Sequence, residues 1–264
     1  MTRSIFLKTL YDKRWFIFGW SLVFAALAAL MASFFPAMKV GTIGALANSL
    51  PPAFKGLIGN LALLNSFDTY LSSQLFDIRL PLIAGIMAII LGLGLSTSEE
   101  ETGELKTLLG LPLSRTKIVF EKWLAIITIT GVTMVAIAIA VYAVIPFVAG
   151  ASMPIKTLLP LLGVSWLLMV TFGTIAYAAG VITGKRSTAM AFGVFVVIGS
   201  FILTTFGQSV DWLASYEHLS LLYYFPADDI VTSGVNWPDV AVLASVTVIF
   251  LVAALIVFRR RDVA

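Results

Sequence analysis

The sequence predicts an all-α fold, a polytopic membrane helix bundle with six transmembrane helices and both termini cytoplasmic. Three observations carry that expectation. The chain is 59% hydrophobic and 12% charged, whereas soluble domains hold about 25% charged residues. Six uncharged apolar stretches are long enough to cross a hydrocarbon core, which takes roughly 20 helical residues. Lysine and arginine gather in alternate connections, the pattern that orients membrane proteins.

The expected spans are residues 15–35, 80–98, 124–149, 157–183, 189–210 and 240–258, none containing Asp, Glu, Lys, Arg or His. Backbone polar groups in lipid must be satisfied within a helix or a closed barrel, and the alternation of barrel strands is absent from the sequence. The first stretch follows Arg3, Lys8, Lys13 and Arg14 and resembles a signal peptide. Its apolar run reaches Phe35, longer than a signal core of about 7–15 residues, so a retained span is expected. With the N-terminus inside, inner segments hold thirteen of the seventeen Lys and Arg residues. Lys39, Lys55, Arg79 and Lys156 fall outside.

Residues 1–14 read as a short interfacial helix, with Leu7, Leu10 and Tyr11 on one face and Lys8, Asp12 and Arg14 reaching headgroups. A basic flank that serves only topology fits the same residues. The outer segment from Pro36 to Arg79 is long for a linker. Its "LANSLPPAFKGLIGN" places Pro51, Pro52 and Gly56 among apolar residues, which suits an interfacial helix or two. The outer segment from Gly207 to Asp239 has no Lys or Arg and carries Trp212, Tyr216, Tyr223, Tyr224, Phe225 and Trp237, fit for an aromatic belt. Residues 1–264 are expected to form one membrane domain.

Several chemistries lack their residues. A P-loop needs G-x-x-x-x-G-K-[ST] to cradle phosphates, and "GVITGKRS" from Gly180 to Ser187 has the wrong glycine spacing. The only histidine is His218, and there is no cysteine, so neither a Ser–His pair within a membrane span nor a thiolate metal site is expected. No span carries the buried ionisable group that marks proton-coupled carriers. Energy for any uphill transport would then enter from outside the bilayer.

The densest charge in the chain lies in "STSEEETGELKTLLGLPLSRTKIVFEKW", residues 96–123. Ser98 and Glu101 make a capping-box pattern, and Glu99, Glu100 and Glu101 crowd a first turn where the helix dipole favours negative charge. Leu105, Leu108 and Leu109 fall at i, i+3 and i+4, a compact apolar face beside Glu104. Gly103 costs a helix about 1 kcal/mol relative to alanine, and Pro112 ends the segment. A short amphipathic helix with an acidic rim fits a docking element for another protein's groove, and a solvated loop fits the same residues.

The stretch "EEETGELKTLLGLPLSRTKIVFEKW" resembles the loop between the second and third spans of type-2 ATP-binding-cassette (ABC) exporter permeases. Matching positions are Glu99 to Glu101, Gly103, Glu104-Leu105, Leu108-Leu109, Pro112 to Arg115 and Lys122. "LIVFRRRDVA" and "YYFPADDIVTSGVNWPDV" are similar to the family's ending and its last outer segment. The resemblance implies a permease subunit, not itself an enzyme, placed in a cell membrane and paired with a second permease copy. It implies that loop 99–115 docks onto a separate ABC ATPase, which binds ATP and Mg. Leu105, Leu108 and Leu109 would bury in the ATPase cleft and the acids would meet its basic rim. Arg115 and Lys122 would anchor the loop to headgroups or to the acidic run.

Small-residue pairs Ala25/Ala29, Ala28/Ala32 and Ala176/Gly180 suit a dimer contact or packing within one subunit. Hydroxyls and aromatics at Ser165, Trp166, Thr171, Thr174, Tyr177, Ser200, Thr204 and Thr205 suit either a pathway for a hydrophobic or amphiphilic substrate or interhelical hydrogen bonds. The expected cargo is a lipophilic antibiotic, drug, peptide or lipid moved outward. A lone ion-coupled carrier and a non-transporting scaffold or sensor are the other readings.

Overall fold

The computed structural model describes residues 4–38, 66–77, 79–98, 114–207 and 210–261. Those residues are helical with short connections, and no strand occurs among them. Six helical stretches are long and apolar enough to cross a membrane. Spans 1 and 3 to 6 are the helices Arg14–Ser33, Arg115–Val144, Ile155–Thr183, Arg186–Gly207 and Trp237–Arg260. Span 2 is the stretch Phe67–Ser96, built from an α-helix Phe67–Leu71, a π-helical turn Ser72–Asp77 and an α-helix Arg79–Ser96.

Two of the helices start ahead of the expected apolar runs. Span 2 has helix from Phe67, well before Leu80. Its last piece, Arg79–Ser96, is about 27 Å long at 1.5 Å per residue and suffices for the crossing. The earlier pieces form a cap that packs on a short helix, Ala227–Thr232. The helix of span 3 begins at Arg115, ahead of the apolar run from Leu124, and its charged first turns find partners on neighbouring helices. Hydropathy cannot register such partners. The segment "LANSLPPAFKGLIGN" lies outside the described residues.

Span 4 is the axis of the bundle: every residue from Leu168 to Val181 is buried. Spans 2 and 6 lie along it, span 5 packs on both span 4 and span 2, and span 1 rests on span 3. The outer helices each bury a single stripe. In span 6 it is Leu243, Thr247, Leu251, Ala254 and Phe258, and in span 5 Ala189, Gly193, Val197 and Ser200. Such i, i+4 rows are one face of a 3.6-residue period.

Helices in lipid gain little from hydrophobicity, so close packing of small residues holds them together. The contact between spans 2 and 4 illustrates this. A Cβ on Gly92 would stand 2.7 Å from the Gly173 carbonyl oxygen and 2.8 Å from the Tyr177 nitrogen. The backbones therefore approach as closely as glycine allows. Further along, a methyl on Gly180 would collide with Ser96. Ala176 and Gly180 thus serve packing within the protomer, and Ala28 and Ala32 are likewise fully buried inside it.

Gly92→Ala is expected to cost about 1–3 kcal/mol, because backbone atoms on span 4 must move. The check is the thermal midpoint of purified protein in detergent. Gly163→Ala is the control, since a Cβ there meets open space, and it should leave the midpoint unchanged or raise it.

Candidate functional site

The two chain ends meet the start of span 3 at one end of the bundle, called here the basic end. The short helix Ile5–Asp12 lies against span 3 with Ile5 and Thr9 buried. Leu7 and Tyr11 stay exposed on its other side, whereas Leu10, expected on the same face, packs partly against the core. Glu121 fixes the docking: its carboxylate accepts from the Ser4 hydroxyl at 3.1 Å and the Phe6 amide at 2.9 Å. Lys117, one turn back on the same helix, sits 3.7 Å from the other carboxylate oxygen.

Lys122 and Arg115 both reach helix ends within the protomer. Lys122 is buried and donates from Nζ to the Leu95 carbonyl at 3.0 Å, in the last turn of span 2. Arg115 donates from Nη1 to the Phe258 carbonyl at 3.2 Å and to the Arg261 carbonyl, at the end of span 6. Arg261 in turn donates from Nη1 to the Val181 carbonyl at 3.0 Å, in the last turn of span 4. The last carbonyls of a helix have no intrahelical donor and carry about half a negative charge between them. Spans 2, 4 and 6 all end at the basic end, and each end receives one cation.

Gly184 makes the last contact possible. Span 4 ends on Gly184 in the left-handed region at φ +64°, with its amide bonded to the Gly180 carbonyl at 2.8 Å. That is the usual role of glycine after a helix. Here it also leaves room, since a Cβ would overlap the Arg261 guanidinium. Arg259 adds a bond from Nε to the Thr116 hydroxyl at 3.0 Å. Ser114 caps span 3, accepting from the Lys117 amide at 3.3 Å.

Of the residues expected to dock a partner, Arg115 stands in this cluster. Glu99, Glu100, Glu101, Gly103, Glu104, Leu105, Leu108, Leu109 and Pro112 lie outside the described residues. The cluster's other members, Glu121, Arg261 and Gly184, escape sequence reading. A cation just inside each helix boundary was the available signal, and it reads equally as topology.

The expected pathway residues sit mostly within the protomer. Ser165 bonds its own helix at the Leu161 carbonyl, at 2.7 Å. Thr171 shares a 2.9 Å bond with Thr247 of span 6. Thr174 accepts from Trp123 Nε1 at 2.9 Å, and Tyr177 donates to the Val119 carbonyl at 3.1 Å, both tying span 4 to span 3. Trp166 is partly exposed and donates to the Ile127 carbonyl at 3.0 Å.

Ser200 and Thr204 meet the segment between spans 5 and 6, which folds back onto the bundle. The Ser220 hydroxyl donates to the Ser200 carbonyl at 2.9 Å and shares a 2.6 Å bond with Thr204. The Leu221 amide donates to Ser200 Oγ at 3.2 Å. Ser200 lies seven residues before the end of span 5, so the segment dips about 10 Å along it. Phe225 is core, while Trp212, Tyr216 and Trp237 stay exposed as a belt would be.

At that same end Asp228 Oδ1 accepts from Ser72 Oγ at 2.6 Å, joining the segment between spans 5 and 6 to the π-helical turn. Burial pushes the Asp228 pKa up, the Ser72 hydrogen bond opposes that, and neighbouring Asp229 adds to the rise.

The family model described as ABC-2 family transporter protein matches residues 20–263 of the chain. A search of curated proteins returns no match.

An aspartate with a raised folded pKa favours the folded state while protonated. That preference fades as pH climbs from the ordinary aspartate range through the raised value. Asp228→Asn keeps an acceptor for Ser72 and removes the charge. Its thermal midpoint should exceed wild type at pH 8, with the gap closing toward pH 4 in a paired melting series.

Proposed function

The chain belongs to the ABC-2 transporter family, and from that premise we propose that it is the permease of an ATP-driven exporter whose ATPase docks on loop 99–113. Membership makes it a multi-pass membrane subunit of an ABC transporter, and the family domain is the membrane component rather than the nucleotide-binding one. Members normally work with ABC ATPase partners.

On this reading the basic end faces the cytoplasm, as the distribution of Lys and Arg favours. Leu105, Leu108 and Leu109 enter the ATPase cleft, and Glu99 to Glu101 with Glu104 meet its basic rim. ATP and Mg are held by that partner. The observation that carries the reading is the anchoring of the residues just after the loop. Within two turns of span 3, Arg115, Glu121 and Lys122 grip span 6, the N-terminal helix and span 2. A push on the loop therefore reaches several elements through bonded contacts.

A second copy faces the first, and a hydrophobic or amphiphilic cargo moves outward between them. Support for a route between copies comes from the buried hydroxyls of span 4, which already serve its contacts with spans 3 and 6. Trp166 and Thr204, both partly exposed, are the pathway residues best placed to touch cargo.

Detergent-solubilised protein should recover an ATPase subunit from its own cell lysate, and the Leu105→Asp/Leu108→Asp variant should lose it. Intact protein that recovers no ATPase under mild conditions would sink the docking reading. Transport in ATP-free vesicles under an ion gradient would point to a lone carrier instead.

A further inference from the structure

We propose that the basic end carries a binding site for an anionic phospholipid, formed where the end of span 6 meets the start of span 5. Lys185, Arg186, Arg259 and Arg260 are the cations that hold its phosphate. The only premise is that the chain lies in a membrane, so the site stands apart from the docking reading.

Three chain segments meet there. Arg115 donates to the Phe258 carbonyl at 3.2 Å and Arg259 donates to the Thr116 hydroxyl at 3.0 Å, tying the end of span 6 to the start of span 3. Arg261 donates to the Val181 carbonyl at 3.0 Å, and its guanidinium fills the space that a side chain on Gly184 would take. Lys185 and Arg186 follow that glycine directly. Segments 114–117, 183–187 and 258–261 thus gather seven Lys and Arg residues and contain no Asp or Glu. Arg115 and Arg261 are committed to helix-end carbonyls, and Lys117 pairs with Glu121. Lys185, Arg186, Arg259 and Arg260 are exposed. Like charges drawn together at the edge of a bilayer raise the local potential and attract an anionic headgroup. The planar guanidinium also matches a phosphate with two parallel hydrogen bonds.

The apolar surface beside these cations favours a lipid over a dissolved anion. On span 5, Met190 lies one turn from Arg186, and on span 6, Val252 and Ile256 stand in the same row as Arg260. All three apolar side chains are exposed. The Phe192 and Phe250 rings, 6.3 Å apart, bring the two helices side by side. A phosphate held at the rim therefore has apolar rows within a turn or two for its acyl chains to lie on. Phosphatidylcholine carries its own cation beside the phosphate, which this patch repels.

The test titrates the purified full chain in detergent with phosphatidylglycerol and reads the apparent Kd by native mass spectrometry. Phosphatidylcholine with the same acyl chains should bind more weakly, and equal binding of the two overturns the proposal. One cation near an anionic surface is worth about fivefold, so Lys185→Gln/Arg260→Gln should weaken phosphatidylglycerol binding about 25-fold. Lys185→Arg/Arg260→Lys keeps both charges and should bind like wild type; a loss as large as the glutamine variant's would sink a charge-based site. Both altered side chains are exposed, so the thermal midpoint in phosphatidylcholine micelles should match wild type in each variant.

Two controls separate this site from its rivals. Lys8→Gln/Arg14→Gln removes the same charge from exposed cations on the other side of the basic end, and should weaken binding by less than about fivefold. Equal weakening by both double variants, or none in Lys185→Gln/Arg260→Gln, shows diffuse attraction and overturns the site. Glycerol 3-phosphate supplies the phosphate without acyl chains and should bind far more weakly than phosphatidylglycerol. Binding of equal strength would make the patch a site for a soluble phosphate, not a lipid.

Discussion

A helix that ends at the edge of a bilayer leaves its last carbonyls without donors, and this protein answers that need with cations from neighbouring helices. Lys122 serves span 2, Arg261 serves span 4 and Arg115 serves span 6. Water could hydrate such carbonyls at a surface, but a side chain that does so also ties two helices together. The three pairings join helices that hydrophobicity alone would not hold in register, because lipid tails solvate apolar faces as well as another helix does. The start of span 3 supplies two of the three cations and, through Glu121, the socket for the N-terminal helix.

The same economy of polar groups runs through the middle of the bundle. Threonine and serine hydroxyls bond a carbonyl four residues back on their own helix, as Thr174 does to Val170 at 2.7 Å. Several then reach a second helix, as Thr171 does to Thr247. Measured worth is modest for each such bond in a membrane, of order 1 kcal/mol, so their combined value lies in orientation. They fix which face of span 4 meets span 3 and which meets span 6. At the far end, Ser200, Thr204 and Ser220 perform the corresponding task for the folded-back segment between spans 5 and 6.

Some of this was legible beforehand and some was not. Length and apolarity marked six spans, and all six are present. The helices of spans 2 and 3 extend back to Phe67 and Arg115, beyond the expected apolar runs, because a hydropathy window counts charge as a reason to end a span. Lys122 and Glu121 are charged yet satisfied by protein partners. Of the aromatics expected in a belt, Trp212, Tyr216 and Trp237 are exposed, whereas Phe225 is buried against protein. Alanine and glycine pairs marked close approach without saying to what, and Ala176 with Gly180 turned out to meet span 2 of the same chain.

By itself the sequence determined the class: too few charges for a soluble domain, apolar runs of bilayer length, no P-loop motif and no cysteine. It also carried the family pattern that the match over residues 20–263 bears out. Only the tertiary structure decided that span 4 is the axis and that its hydroxyls bond within the protomer. It alone placed Arg115 on the end of span 6, with Arg261 on the end of span 4. The reason is physical. An apolar run looks the same to a hydropathy scale on every face, whereas a buried hydrogen bond or a glycine contact depends on which face its neighbour presents.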